Sequence, residues 1–477
     1  MPLNILVIMT DQLRADHCGF LPGAKVDTPN LDLLAGSGSF SNCITANPIC
    51  TPARCALLTG KYTHQIGMVS MSGELSPQHP TYPRALQQAG YHTMGVGKFH
   101  FWQGWPWGQA RGEGYDLTAL TADAEAYGFD QVWEAAGKQL AVRSRCEHYA
   151  HLEDKGLGDP YRDFVESEGK NNKQAAATVF TGKPWPFPDE DYVDHMVTDQ
   201  VIHHLRERPK DKPFLMFASL CSPHPPFDPP ARYLDEVPYE EVDDFIPTDP
   251  PMDMETKKRL WRMRRAYRAL VRMIDTQVGR MLAALREEGV FDDTMIVFTT
   301  DHGEMLGDHG CMQKQSYYAS SARIPLAIRH PHCLTGTPRV IPAPVELTDV
   351  TATILDAAGL DPQASLSLPW PAFNNRVPAR SLLPILRGET ERVRDIAFSE
   401  CQDEWQMLQS DRHKYVRLVQ SDGPNEKLFD LQNDPDEQAD LASDPEQADT
   451  LVWFRQQREA LIDRTPPAQL NCLPLQW

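Results

Sequence analysis

Three short runs of mostly apolar residues each stop at a polar side chain. They are residues 4–10, ending at Asp11, residues 213–220, and residues 294–300, ending at Asp301. A strand that is apolar on both faces must be covered on both, as in a parallel sheet packed between helices. Helical spacing appears at 29–36, 52–59, 82–89, 190–206 and 255–288, with further strands predicted at 91–96 and 324–328. The alternation predicts an α/β fold with a mostly parallel central sheet flanked by helices.

Residues 101–190 break that rhythm and are predicted to be long insertions over the sheet. After about 385, short strands are expected near 396–400, 406–409, 414–419 and 427–430, followed by a helix at 445–463. The predicted division is a catalytic domain over 1–385, a smaller α+β subdomain over 386–464 with an antiparallel sheet, and a Pro-rich tail over 465–477. The apolar end of that tail suits a contact between subunits of a homo-oligomer.

The net charge of −20 argues against a nucleic-acid partner, whose binding depends on Lys and Arg meeting phosphates. It leaves room for an anionic substrate in a locally basic pocket. The ten cysteines form no CxxC pair, which speaks against a zinc ribbon. The opening residues carry no basic segment, and the first apolar run is too short to span a membrane. A cytoplasmic protein with reduced thiols and no membrane partner is the expectation.

Residues 50–60 read Cys-Thr-Pro-Ala-Arg-Cys-Ala-Leu-Leu-Thr-Gly. Pro52 suits the first turn of a helix, where an N–H has no intrahelical acceptor. Arg54 lies one turn beyond Cys50, so both can face the space beyond the helix start. Unpaired N–H groups and the helix dipole favour an anion there. A reactive sulfur, a guanidinium and a helix start together describe a site for a tetrahedral oxyanion.

Other chemistry-bearing residues recur at strand ends, where ligands collect in open α/β sheets. Asp11, Asp301 and His302 are ligand types for a divalent cation; calcium favours carboxylate oxygens, and manganese accepts imidazole more readily. Lys98 and His100 stand two apart and would share one side of an extended segment. The neighbouring cation would lower the imidazole pKa, as a general base requires. His224 is held among prolines in 222–227, and Lys314 follows the loop after His302. Trp102, Trp105 and Trp107 offer aromatic faces to a sugar, an aryl group or a quaternary ammonium.

The ordered set of Asn4–Asp11, Thr28–Leu31, Cys50–Gly60, Gly97–His100, Ser222–Phe227 and Asp301–Gly310 resembles the type I sulfatases of the alkaline phosphatase-like superfamily. Lys427–Pro435 is similar to that family's closing sheet. The resemblance implies that Cys50 is oxidised to formylglycine, whose hydrate is the nucleophile. It implies a maturation partner, either a formylglycine-generating or an anaerobic sulfatase-maturating enzyme. Asp11, Asp301, His302 and the modified Cys50 would hold one divalent metal, calcium ahead of manganese. Arg54 would orient the hydrate, and Lys98 would bind hydrate and sulfate. His100 would take the proton that releases sulfate. His224 and Lys314 would grip the sulfate, and one of them would protonate the leaving oxygen.

Asp11-Gln12 and Asp301-His302 look like the branch containing choline sulfatases and phosphonate monoester hydrolases, whereas Gly97-Lys-Phe-His100 looks more like sulfatases. Sulfate monoesters are therefore the expected substrates, with choline, aryl and carbohydrate sulfates all open. A phosphonate monoester hydrolase or phosphodiesterase on the same site is the alternative. A non-catalytic binder of sulfated ligands would result if Cys50 stayed unmodified.

Overall fold

The computed structural model describes residues 2–101, 112–170, 181–239, 242, 245–337, 339–367, 376–401, 404–419 and 425–466. The side chains of 169 and 170 are outside that set, as are Trp102, Trp105, Trp107 and residues 467–477 of the tail.

Fifteen strands are named among these residues. In chain order they are β1 (Asn4–Asp11), β2 (Gly38–Phe40), β3 (Cys43–Ile44), β4 (His92–Gly97) and β5 (Gln131–Glu134). Next come β6 (Phe214–Pro223), β7 (Thr294–Thr300), β8 (Arg323–Ile324), β9 (Leu326–Arg329), β10 (Val340–Ile341) and β11 (Val345–Glu346). The last four are β12 (Ala397–Cys401), β13 (Trp405–Gln409), β14 (His413–Leu418) and β15 (Glu426–Asp430).

The main sheet has the order β10-β2-β9-β7-β1-β6-β4-β5. β7, β1, β6, β4 and β5 run parallel, while β9 is antiparallel to both β7 and β2. The apolar runs read from the sequence are thus the centre of a mixed, mostly parallel sheet. Every residue of β6 and β7 is buried, as a strand covered on both faces must be. The Val193–Glu207 helix packs on β6 and β4, and the 34-residue Met254–Glu287 helix packs on β6 and on that first helix. Asp253 caps the long helix by accepting from the Thr256 N–H at 2.9 Å.

Parallel register brings the carboxyl ends of β1, β4, β6 and β7 to one edge. Thr10 lies opposite Thr300, and Gly97 opposite Ser219. Beyond Met9–Ser219 the register between β1 and β6 shifts, and Asp11 pairs with Pro223. That irregularity carries His224 to the same rim. Gly97 is obligatory here: its φ is +104°, and a Cβ would stand 1.9 Å from the Ser219 carbonyl oxygen.

Residues 101–190, predicted as insertions, also contribute β5 to the sheet edge. β5 is four residues long and mostly half-exposed or exposed, so it lacks the continuous apolar signal of its neighbours. The predicted helix at 29–36 is a short α-helix, Pro29–Asp32, followed by a 3-10 turn, Leu33–Gly36.

β12 to β15 form a separate four-stranded antiparallel meander, backed by the Ala448–Arg464 helix through Tyr415, Leu451 and Phe454. His64 ties this unit to the main body. Its Nδ1 meets Glu400 Oε1 at 2.8 Å and its Nε2 meets the Thr465 carbonyl at 2.6 Å, so both nitrogens donate in the imidazolium form. Burial opposes that charge, but Glu400 outweighs it and raises the His64 pKa above 6.5. A raised folded pKa means that this contribution is complete below the unfolded value and is lost as pH rises through the folded one. Burial likewise opposes the Glu400 charge, yet His64 holds Glu400 below its usual range, so its share is lost only in acid. The unfolding midpoint is therefore expected to fall as pH rises above about 6.5 by a component that His64→Gln removes. Identical pH profiles for the two proteins would contradict this.

Candidate active site

The Cys50–Thr59 helix is buried throughout and packs against the Leu347–Ala357 helix. It begins at Cys50, one turn ahead of the intrahelical hydrogen-bond ladder, so Pro52 falls where no N–H acceptor exists. Gly60 closes it in the left-handed region at φ 65°. Arg54 points into the rim of the sheet. Its Nε donates to Asp301 Oδ2 at 2.9 Å, and one terminal nitrogen donates to the Lys98 carbonyl at 2.7 Å and to Ser219 Oγ at 2.8 Å. The other stands 3.8 Å from Asp11 Oδ2. Arg54 thus ties β4, β6 and β7 together and neutralises two buried acids.

Asp11, Asp301 and His302 are buried, with one ligand atom from each lying within 4.8 Å of the others. Among the described residues, Asp11 Oδ1 and His302 Nε2 have no hydrogen-bond partner. Buried polar atoms are rarely left so, and two of them facing one point are what a bound cation would satisfy. His302 Nδ1 lies 3.0 Å from the Gly303 carbonyl, which fixes Nε2 as the ligating nitrogen. Lys98 Nζ donates to Asp11 Oδ2. Burial works against the Asp11 charge, but Lys98, His224, Arg54 and Lys314 hold its carboxyl well below the usual range. The Cys50 sulfur is not part of this group; it turns to Lys314 Nζ at 3.8 Å and Met71 Sδ at 3.9 Å.

Cys50, Lys98, His100, His224 and Lys314 line one cavity of about 300 Å³, together with Met71, residues 136–140, Arg143 and Gln313. Lys98 and His100 reach it through turns, with φ +104° at Gly97 and 59° at His100, and not through the extended segment expected from the sequence. Burial resists ionisation of Cys50, but Lys314, Lys98 and a hydrogen bond with His100 bring its thiol well below the ordinary range. Burial and Lys98 lower the His100 imidazole. Burial, reinforced by Lys314 and Lys98 and only partly offset by Asp11, holds His224 well below 6.5. Both rings are therefore neutral near pH 7. His224 Nδ1 donates to the Pro225 carbonyl at 2.8 Å and so presents Nε2 to other groups.

Three residues here went unread in the sequence as parts of the site. Gln12, at φ 68°, donates its backbone N–H to Asp301 Oδ1 at 2.9 Å. Its side-chain oxygen accepts from Lys314 at 3.0 Å and its amide donates to Glu304. Glu304 also accepts from the Leu306 N–H at 3.1 Å and the Gln313 N–H at 2.5 Å, fixing the loop that delivers Lys314. Arg143 stands in the cavity wall. Trp102 and Trp105, expected to meet substrate, lie outside the described residues.

A family model described as sulfatase matches residues 3–360, and one described as N-sulphoglucosamine sulphohydrolase, C-terminal, matches 307–463. The chain is 28% identical to an arylsulfatase of Clostridium perfringens, over 95% of this chain and 93% of that protein. It is also 28% identical to a choline-sulfatase of Rhizobium meliloti, over 96% and 87%. The phosphonate monoester hydrolase of Agrobacterium radiobacter has the same fold, with a TM-score of 0.77 at 22% identity over 98% of this chain and 97% of that one. Among the described residues no helix is long and apolar enough to cross a membrane.

Proposed function

The chain belongs to the sulfatase family, enzymes that hydrolyse sulfate esters, and from that premise we propose that it cleaves aryl, alkyl or carbohydrate sulfate monoesters at position 50. The observation that carries this reading is the placement of the Cys50 thiol in a cavity with Lys98, His100, His224 and Lys314. The cysteine Sγ stands where the oxygen atoms of the modified side chain would stand. Converted to formylglycine by a maturation enzyme, position 50 supplies an aldehyde hydrate, with one hydroxyl to accept the sulfuryl group and a second whose deprotonation releases sulfate. Asp11, Asp301 and His302, joined by the modified side chain of position 50, would hold a divalent cation, calcium first and manganese second, which would supply Lewis acidity toward the attacking hydroxyl.

The remaining work falls to this chain's side chains. Lys98 and Lys314 meet the sulfate oxygens; His224 joins them through Nε2 only once the bound anion favours its imidazolium form, and Lys314 or that imidazolium protonates the leaving oxygen as charge develops there. Lys98 is pre-oriented by Asp11, and Lys314 by Gln12. His100, neutral and bonded to position 50, is the base that takes the hydrate proton. Arg54 stays with the carboxylates and keeps their charge fixed while the ester turns over.

The Asp11-Gln12 and Asp301-His302 pairs support a second reading, hydrolysis of phosphonate monoesters or phosphodiesters on the same residues. Turnover of 4-nitrophenyl sulfate and of a 4-nitrophenyl phosphonate monoester separates the two. The expected result is a higher kcat/KM for the sulfate by an order of magnitude or more. A preference for the phosphonate would reverse the assignment.

A further inference from the structure

The cavity over Cys50 carries more positive charge than one sulfate monoester can answer. We propose that the enzyme selects sulfate esters whose leaving group bears a second anionic group, a carboxylate or another sulfate, and that Arg143 is the residue that recognises it. The proposal rests on the sulfate-ester reading above.

Four cationic side chains, Lys98, Lys138, Arg143 and Lys314, line this cavity, and no carboxylate does so among the described residues. Lys98 is neutralised by Asp11, and Lys138 by Asp228 at 2.7 Å. Lys314 bonds to the uncharged Gln12 and stands beside position 50, where it answers the single charge of a sulfate monoester. Arg143 is left over. It is half-buried, and no hydrogen bond or ion pair among the described residues engages its guanidinium.

Its backbone, by contrast, is fixed. The Leu140–Val142 turn before it is buried, the Arg143 N–H donates to the Leu140 carbonyl at 2.9 Å, and the Gly114 N–H donates to the Arg143 carbonyl at 2.8 Å. A fixed backbone with an uncommitted guanidinium facing a cavity suits bidentate recognition of a planar or tetrahedral anion. The volume of about 300 Å³ admits a leaving group of one small ring. A quaternary ammonium, as in choline sulfate, would meet only like charge from these lining residues.

The test uses the full-length matured enzyme with 4-carboxyphenyl sulfate and its uncharged isostere, 4-carbamoylphenyl sulfate. The wild type is expected to favour the carboxylate by ten- to a hundredfold in kcat/KM, on the order of one charge-assisted hydrogen-bonded contact. Arg143→Gln is expected to cut that ratio at least about tenfold, mainly through KM, and Arg143→Lys to keep part of it. A wild-type ratio near one, or a ratio unchanged in Arg143→Gln, overturns the proposal while leaving the sulfate-ester reading intact. The wild-type ratio needs no variant, so it decides the matter even if Arg143→Gln fails to fold. If neither sulfate is cleaved but the matching aryl phosphonates are, the sulfate-ester reading fails, and the same ratio is read on the phosphonate pair.

Discussion

Replacing Cys50 with alanine is expected to bring turnover of an aryl sulfate to background, a loss on the order of 10⁵-fold or more, as for other enzymes stripped of their nucleophile. The change removes one buried sulfur and should cost only about 1 kcal/mol of stability, so the loss reads as chemistry. Cys55 is the internal control. It sits five residues later in the same helix, buried, and burial pushes its thiol up where the cations around Cys50 pull that thiol down. Cys55→Ala should therefore retain turnover. Full activity in Cys50→Ala would remove position 50 from the mechanism.

Asp301→Ala is expected to be costly twice over. Asp301 belongs to the three-residue group with Asp11 and His302, accepts from Arg54 at 2.9 Å, and accepts the backbone N–H groups of Gln12 and His302, each at 2.9 Å. Its removal leaves Arg54 buried with only the more distant Asp11 carboxylate. Breaking a buried pair by deleting one partner typically costs about 3–5 kcal/mol, because the remaining charge is uncompensated. Catalysis should fall by several orders of magnitude as the cation and the Arg54 anchor are lost together. Urea unfolding and steady-state kinetics measure the two effects separately. A change below about 1 kcal/mol with activity retained would show that Asp301 is not the hub described here.

Legibility from sequence followed the length and burial of each element. β1, β6 and β7 are long strands buried almost end to end, so their apolar runs and the polar residues closing them stand out. That is why Asp11, Asp301 and His302 could be singled out together. β3, β8, β10 and β11 are two residues each, too short to carry a period, and their place in a sheet is decided by partners far along the chain. The contact between Gln12 and Glu304 is not legible in the sequence for a related reason. They are 292 residues apart, and only the register of β1 against β7 brings them together. Arg143 follows a weakly patterned edge strand, and nothing in its neighbourhood distinguishes it from a surface arginine until the cavity wall is seen. His100 was found by a spacing argument whose geometry differs in the fold: a positive φ, not extended alternation, turns it toward Cys50.

Whether position 50 works as formylglycine is decided by the mass of the tryptic peptide containing it, taken from protein whose aryl sulfate turnover has been measured. Active protein is expected to carry the aldehyde form, with one sulfur and two hydrogens lost and one oxygen gained relative to cysteine. Activity should rise in proportion to the aldehyde fraction across preparations. Full activity in protein whose position 50 is entirely thiol would contradict it.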